Sequence, residues 1–193
     1  MTAEGEAYFS DWDAFAYEFL LERTKKAVLY HNGSKVLCVE VETNDYEKLK
    51  LFFISVLWRA GVSRRPFFSK VRLGPHEGEL RRCILEGDPG DFQNYGVLLY
   101  LYPDTPKAGF PIVSPRFFRE KDSRCNFYEF EFGCFGAWIK VDSKPCQNVL
   151  SDFFIRRNHP VQFIVRNQYR KTAGFRSMVE TIRQFHDNGP KKS

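Results

Sequence analysis

"CNFYEFEFGCFGAWIKV", residues 125–141, is the stretch whose reading decides the fold. In its first half Asn126, Tyr128, Phe130 and Phe132 alternate with Phe127, Glu129 and Glu131, the period of a strand whose successive side chains point to opposite faces. Residues 135–141 read as a second strand, and the Gly133–Cys134 link joins the two as a hairpin. Four more stretches have strand length and composition: 36–42 ("VLCVEVE"), 95–103 ("YGVLLYLYP"), 111–115 ("PIVSP") and 161–167 ("VQFIVRN").

Helical patterning occupies the rest. Trp12, Phe15, Ala16, Phe19 and Leu20 recur at helical spacing behind a Ser10/Asp13 capping pair, which predicts a helix over 11–27. Asn44 followed by Glu47 starts a second over 45–60, and its segment 51–58 is apolar on nearly all sides, as in a buried central helix. Pro75, Glu77 and Glu79 open a third that ends before Gly87, and Met178, Val179, Ile182 and Phe185 mark a fourth over 175–186. Helices first and strands later, without a strand–helix–strand rhythm, predict one α+β domain over 1–193. The expected architecture is an antiparallel sheet of five to six strands packed with about four helices, its ends frayed at 1–9 and 188–193.

Phe contributes 20 of 193 residues, so the core should be aromatic. The acidic start carries no leader-like apolar run, and no segment reaches the 18 to 20 apolar residues of a membrane span, so a cytoplasmic protein is expected. The five cysteines (Cys38, Cys83, Cys125, Cys134, Cys146) are odd in number and contain no C-x-x-C, which predicts reduced thiols and neither a metal site nor a cofactor.

No phosphate loop, dinucleotide fingerprint, nucleophile elbow or H-E-x-x-H is present. Glu129 and Glu131, with Lys140 on the opposite strand, form the best carboxylate cluster. They admit a cross-strand ion pair, or a metal-dependent nuclease if an Asp such as Asp88 or Asp91 joins them. Lys48, Ser55 and Arg59 form a stripe on the apolar second helix. Arg59 there is either a helix-end residue held by a carbonyl or by a carboxylate of the first helix, or an anion-binding group.

Charge is distributed unevenly. Residues 59–82 carry a net +5 and 156–193 a net +7, whereas 1–58 and 83–155 are acidic at −4 and −3. Within 154–178, arginines interleave with Phe163, Tyr169 and Phe175, the mixture that a nucleic-acid backbone and its bases would meet. Arg64, Arg65, Lys70, Arg156, Arg157, Arg170 and Lys171 are the expected phosphate contacts.

The segments "FSDWDAFAYEFLLE", "DYEKLKLFFISVLWRAGVS", "PFFSKVRLGPHEGELRRCILEGDPGD" and "YGVLLY" resemble an uncharacterised family of bacterial and prophage proteins. Fuller members of that family carry an HNH-like zinc module ahead of this body, ending in C-x-x-C-E. The resemblance covers residues 6–100. Glu6 matches the acidic position, but Thr2-Ala3-Glu4-Gly5 stand where the second cysteine pair would be. The resemblance implies a non-catalytic, nucleic-acid-associated module in phage–host defence. The alternatives are a protein–protein effector, such as a phage-encoded inhibitor or a defence-system subunit, and the metal-dependent nuclease.

Overall fold

The computed structural model describes residues 3–33, 35–43, 45–103, 112–147 and 149–166. Three α-helices lie among them: α1 (Ala3–Leu21), α2 (Tyr46–Val62) and α3 (His76–Glu86). Seven strands form one sheet: β1 (Val28–Asn32), β2 (Lys35–Val41), β3 (Val97–Leu101), β4 (Ile112–Arg119), β5 (Asn126–Phe132), β6 (Phe135–Lys140) and β7 (Val161–Val165). Their order across the sheet is β1-β2-β7-β3-β6-β5-β4. The α+β class is as expected. The count of five to six strands is corrected to seven, and the fourth expected helix, 175–186, lies outside the described residues.

Three further expectations change. The sheet is not wholly antiparallel, because β7 runs parallel to β3 while pairing antiparallel with β2. The strand β1 was not expected: residues 28–32 follow the expected helix and lie in none of the six stretches read as strands. All five of its residues are exposed, so it has no inward-facing row and none of the alternation by which half-buried strands are recognised. Finally, α1 starts at Ala3 and runs through Ser10, so 3–9 are helical rather than frayed. Tertiary contacts hold this extension: the Tyr8 hydroxyl donates to the Ile84 carbonyl at 2.8 Å, and Phe9 is buried in the core. The helix stops at Leu21, six residues short of expectation, and a 3-10 turn (Arg23–Lys26) leads into β1.

All three helices pack on one face of the sheet. The second helix sits centrally between α1 and α3, with Leu49, Phe53, Ile54 and Leu57 fully buried, and Phe53 meets Phe132 of β5 at 6.3 Å between ring centres. Its N-cap is Asp45, whose carboxylate accepts from the Lys48 amide at 3.0 Å. At its other end Arg59 forks onto Asp13 of α1 (2.8 and 3.1 Å), donates to Ser55 Oγ and lies 4.8 Å from the centre of the Phe9 ring. The Arg59→Ala variant should lose the fork and the stacked contact together, lowering stability by about 1–2 kcal/mol in a urea titration. The opposite face carries a smaller cluster of Leu98, Tyr100, Tyr102, Cys125, Phe127, Cys146 and Phe154, with no α-helix among the described residues laid on it.

No described helix is long and apolar enough to cross a membrane.

Candidate nucleic-acid interface

Beyond α2 the chain turns through a short 3-10 segment (Pro66–Phe68) before reaching α3. This connection is fixed at three points. Gly61 lets Leu73 approach so closely that a Cβ there would sit 2.3 Å from the leucine side chain. The Tyr128 hydroxyl accepts from the Arg72 amide (2.8 Å) and donates to the Arg72 carbonyl (2.9 Å). Ser114 of β4 donates its hydroxyl to the Phe67 carbonyl at 2.7 Å. With its backbone so held, the loop presents Arg64, Arg65, Lys70 and Arg72 to solvent, and none of them forms an ion pair with a described residue.

Beside this loop lies a cleft of about 750 Å³. The end of α2 supplies Val56, Trp58 and Val62, the loop supplies Arg65, Phe67 and Phe68, and the β4–β5 corner supplies Val113, Pro115 and Phe132. Phe67 is 37% exposed and meets Phe68 edge to face at 4.9 Å. Trp58 Nε1 is buried and has no hydrogen-bond acceptor.

The expected phosphate contacts do not form one face. Arg64, Arg65 and Lys70 stand together, and Arg72, which was not singled out, joins them. Arg157 instead pairs with Glu47 in the first turn of α2, and Arg156 donates to the Asp152 carbonyl (2.8 Å) with its guanidinium 5.8 Å from the Phe92 ring centre. A 17-residue helix is about 25 Å long, so α2 separates the two basic segments by roughly its own length. Arg170 and Lys171 lie outside the described residues. Arg72 was legible as part of the +5 segment. The cleft was not, since its walls come from three separate stretches of chain, 56–68, 113–115 and 130–132.

The carboxylate cluster departs further from expectation. Glu129 is 5% exposed and accepts from Trp138 Nε1 (2.8 Å), the Tyr100 hydroxyl (3.0 Å), Arg166 (3.3 Å) and Arg116. Burial alone would raise its pKa, but the hydrogen bonds from Trp138 and Arg116 and the two guanidinium charges outweigh it and hold the carboxyl below its ordinary value. Arg166 also stacks 4.6 Å from the Tyr100 ring centre and 4.8 Å from that of Trp138. Glu131, two residues on and 6% exposed, has one hydroxyl donor, Tyr102 at 3.5 Å, and its Oε2 has none. Burial, and then the neighbouring Glu129 charge, push its carboxyl up to about 7.

Lys140 does not pair with either glutamate. It stands opposite Phe127, one step along from Glu129, and donates to the carbonyls of Asp142 (2.6 Å) and Gln93 (3.1 Å). The nuclease arrangement of Glu129, Glu131 and Lys140 is therefore not assembled. Among the described residues no group of three or more His, Cys, Asp or Glu side chains could hold a metal ion.

No family model matches the chain, and neither a curated protein nor a solved structure matches it.

Proposed function

We propose that this protein is a non-catalytic nucleic-acid-binding module, and that its contact surface is the loop 64–72 with the adjoining cleft. One observation carries the reading: four exposed cations, free of acidic partners among the described residues, lie on the short connection that also carries the exposed Phe67, and one of them, Arg65, lines the aromatic-walled cleft beside it. Cations neutralise phosphates and rings stack on bases, so the combination suits a polyanion that carries aromatic groups. The resemblance of residues 6–100 to prophage proteins with an HNH-like module is the ground for setting this binding in phage–host defence.

The test is a salt series of oligonucleotide binding. Changing Arg64, Arg65 and Lys70 together to Ala should weaken binding at least about tenfold at low salt and lower the slope of log K against log salt by about 2–3. Changing Arg156 and Arg157 to Ala should leave that slope unchanged. Absence of binding at low salt by the unmodified protein overturns the reading.

A protein–protein effector is the second reading. It draws on the apolar cleft walls and on β4, which forms one edge of the sheet beside the cleft and offers backbone groups to an added strand.

A further inference from the structure

We infer that the cleft accepts a single unstacked base, so that the protein takes single strands in preference to duplex. The inference rests on the nucleic-acid reading and adds to it the form of the ligand. Volume and walls come first. About 750 Å³ falls within the range of small-molecule sites and has room for a base with its sugar, and the walls formed by Trp58, Phe67, Phe68 and Phe132 offer ring faces and edges rather than flexible chains. A base inside a duplex has its faces covered by its neighbours and reaches such a cleft only when unstacked.

The polar groups narrow the ligand further. Two cations line the cleft. Arg59 is already committed to Asp13 and Ser55, which leaves Arg65 to meet the phosphate of the nucleotide whose base enters. Glu131 also borders the cleft, but strand alternation turns its side chain to the other face of the sheet, where Tyr102 bonds it, so no carboxylate opposes the phosphate. Arg64, Lys70 and Arg72 favour an anionic occupant over an uncharged apolar one.

The experiment is fluorescence anisotropy with the full chain against a labelled ten-nucleotide thymidine strand, the same strand paired with its complement, and the same strand carrying abasic residues. The intact single strand should bind about tenfold or more tightly than the other two. Phe67→Ala should remove most of that preference. Abasic strands leave the protein unaltered, so they report on the cleft even if a variant folds poorly. Equal affinity for all three nucleic acids, with a steep salt dependence retained, overturns the base-binding inference while the basic loop keeps its role. Binding of none of them overturns both. Displacement of the single strand by a peptide rich in Glu and Phe, without any base dependence, assigns the cleft to a protein partner and overturns the inference as well.

Discussion

Glu129→Ala should lower the stability of the domain by about 3–5 kcal/mol, measured as the shift of a urea midpoint at pH 7. The size follows from what the carboxylate holds. It accepts the Tyr100 hydroxyl and the Trp138 indole N–H, and both rings belong to the cluster on the sheet face opposite α1, α2 and α3. It also accepts Arg116 and Arg166. Arg116 is about half exposed and can turn to water, but the Tyr100 hydroxyl cannot, because Tyr100 has no exposed surface. Truncation therefore strands a buried donor, weakens the seat of the Trp138 indole and leaves Arg166 stacked on two rings without its counter-charge. By contrast, Arg116→Ala removes only one of four donors and should cost less than half as much. Equal losses for the two variants would mean that the ion pair, rather than the buried hydroxyl and indole, dominates.

Glu131 should set a pH dependence of comparable size and opposite sense. Its carboxyl rises from the usual 4.5 to about 7 in the folded protein, so the native state holds a proton that the unfolded chain has released. The stability this confers is complete below pH 4.5 and is lost as pH climbs to about 7, a decline of about 3 kcal/mol across that window. Glu131→Gln keeps the shape and cannot ionise. The variant should track the wild type at pH 4.5 and exceed it by about 3 kcal/mol at pH 8. A constant difference at both pH values would show that Glu131 titrates at an ordinary value. Lys50 is fully buried against the Asp91 carbonyl, which accepts its ammonium at 2.6 Å, and burial lowers its pKa to about 8. Its contribution has the reverse sign: the cost of the buried charge lifts as pH rises above about 8, so the Glu131 window lies clear of it.

Much of the fold was legible because alternation and helical spacing are local. The two faces of residues 126–132 came out as expected, with Tyr128 and Phe130 toward the helices and Phe127, Glu129 and Glu131 away from them. Arg59 did meet a carboxylate of the first helix. What the sequence withheld is which strand lies beside which. Expecting Lys140 to meet a glutamate assumed a pairing offset by one step, and the observed register puts Trp138 opposite Glu129. Of the partners that keep Glu129 ionised, Trp138 lies in the same hairpin, but Arg116 sits on β4 and Arg166 just past β7, and nothing in residues 125–141 refers to those two. Lys50 was hidden differently. It stands next to an apolar run, and its burial depends on the distant turn at Gly90 and Asp91, whose carbonyls receive it. The interface divides along the same line: the charge of the loop is local and was readable, while the cleft beside it is assembled from remote segments and was not.

The position of β7 has a consequence for how the chain reaches this state. It lies between β2 and β3 and is the last strand among the described residues. Without it the described strands form two separate antiparallel pieces, β1-β2 and β3-β6-β5-β4. The joint requires Cys38 to meet Ile164, across about two thirds of the chain, and Leu99 to meet Phe163, across about one third. The facing edges of β2 and β3 can therefore be paired in this way only once residues 161–165 are available. Closing a loop of that length is slow compared with forming either hairpin. β7 is thus the keystone of the sheet: it alone joins the two halves, and a change that displaces residues 161–165 should divide the sheet rather than fray its edge.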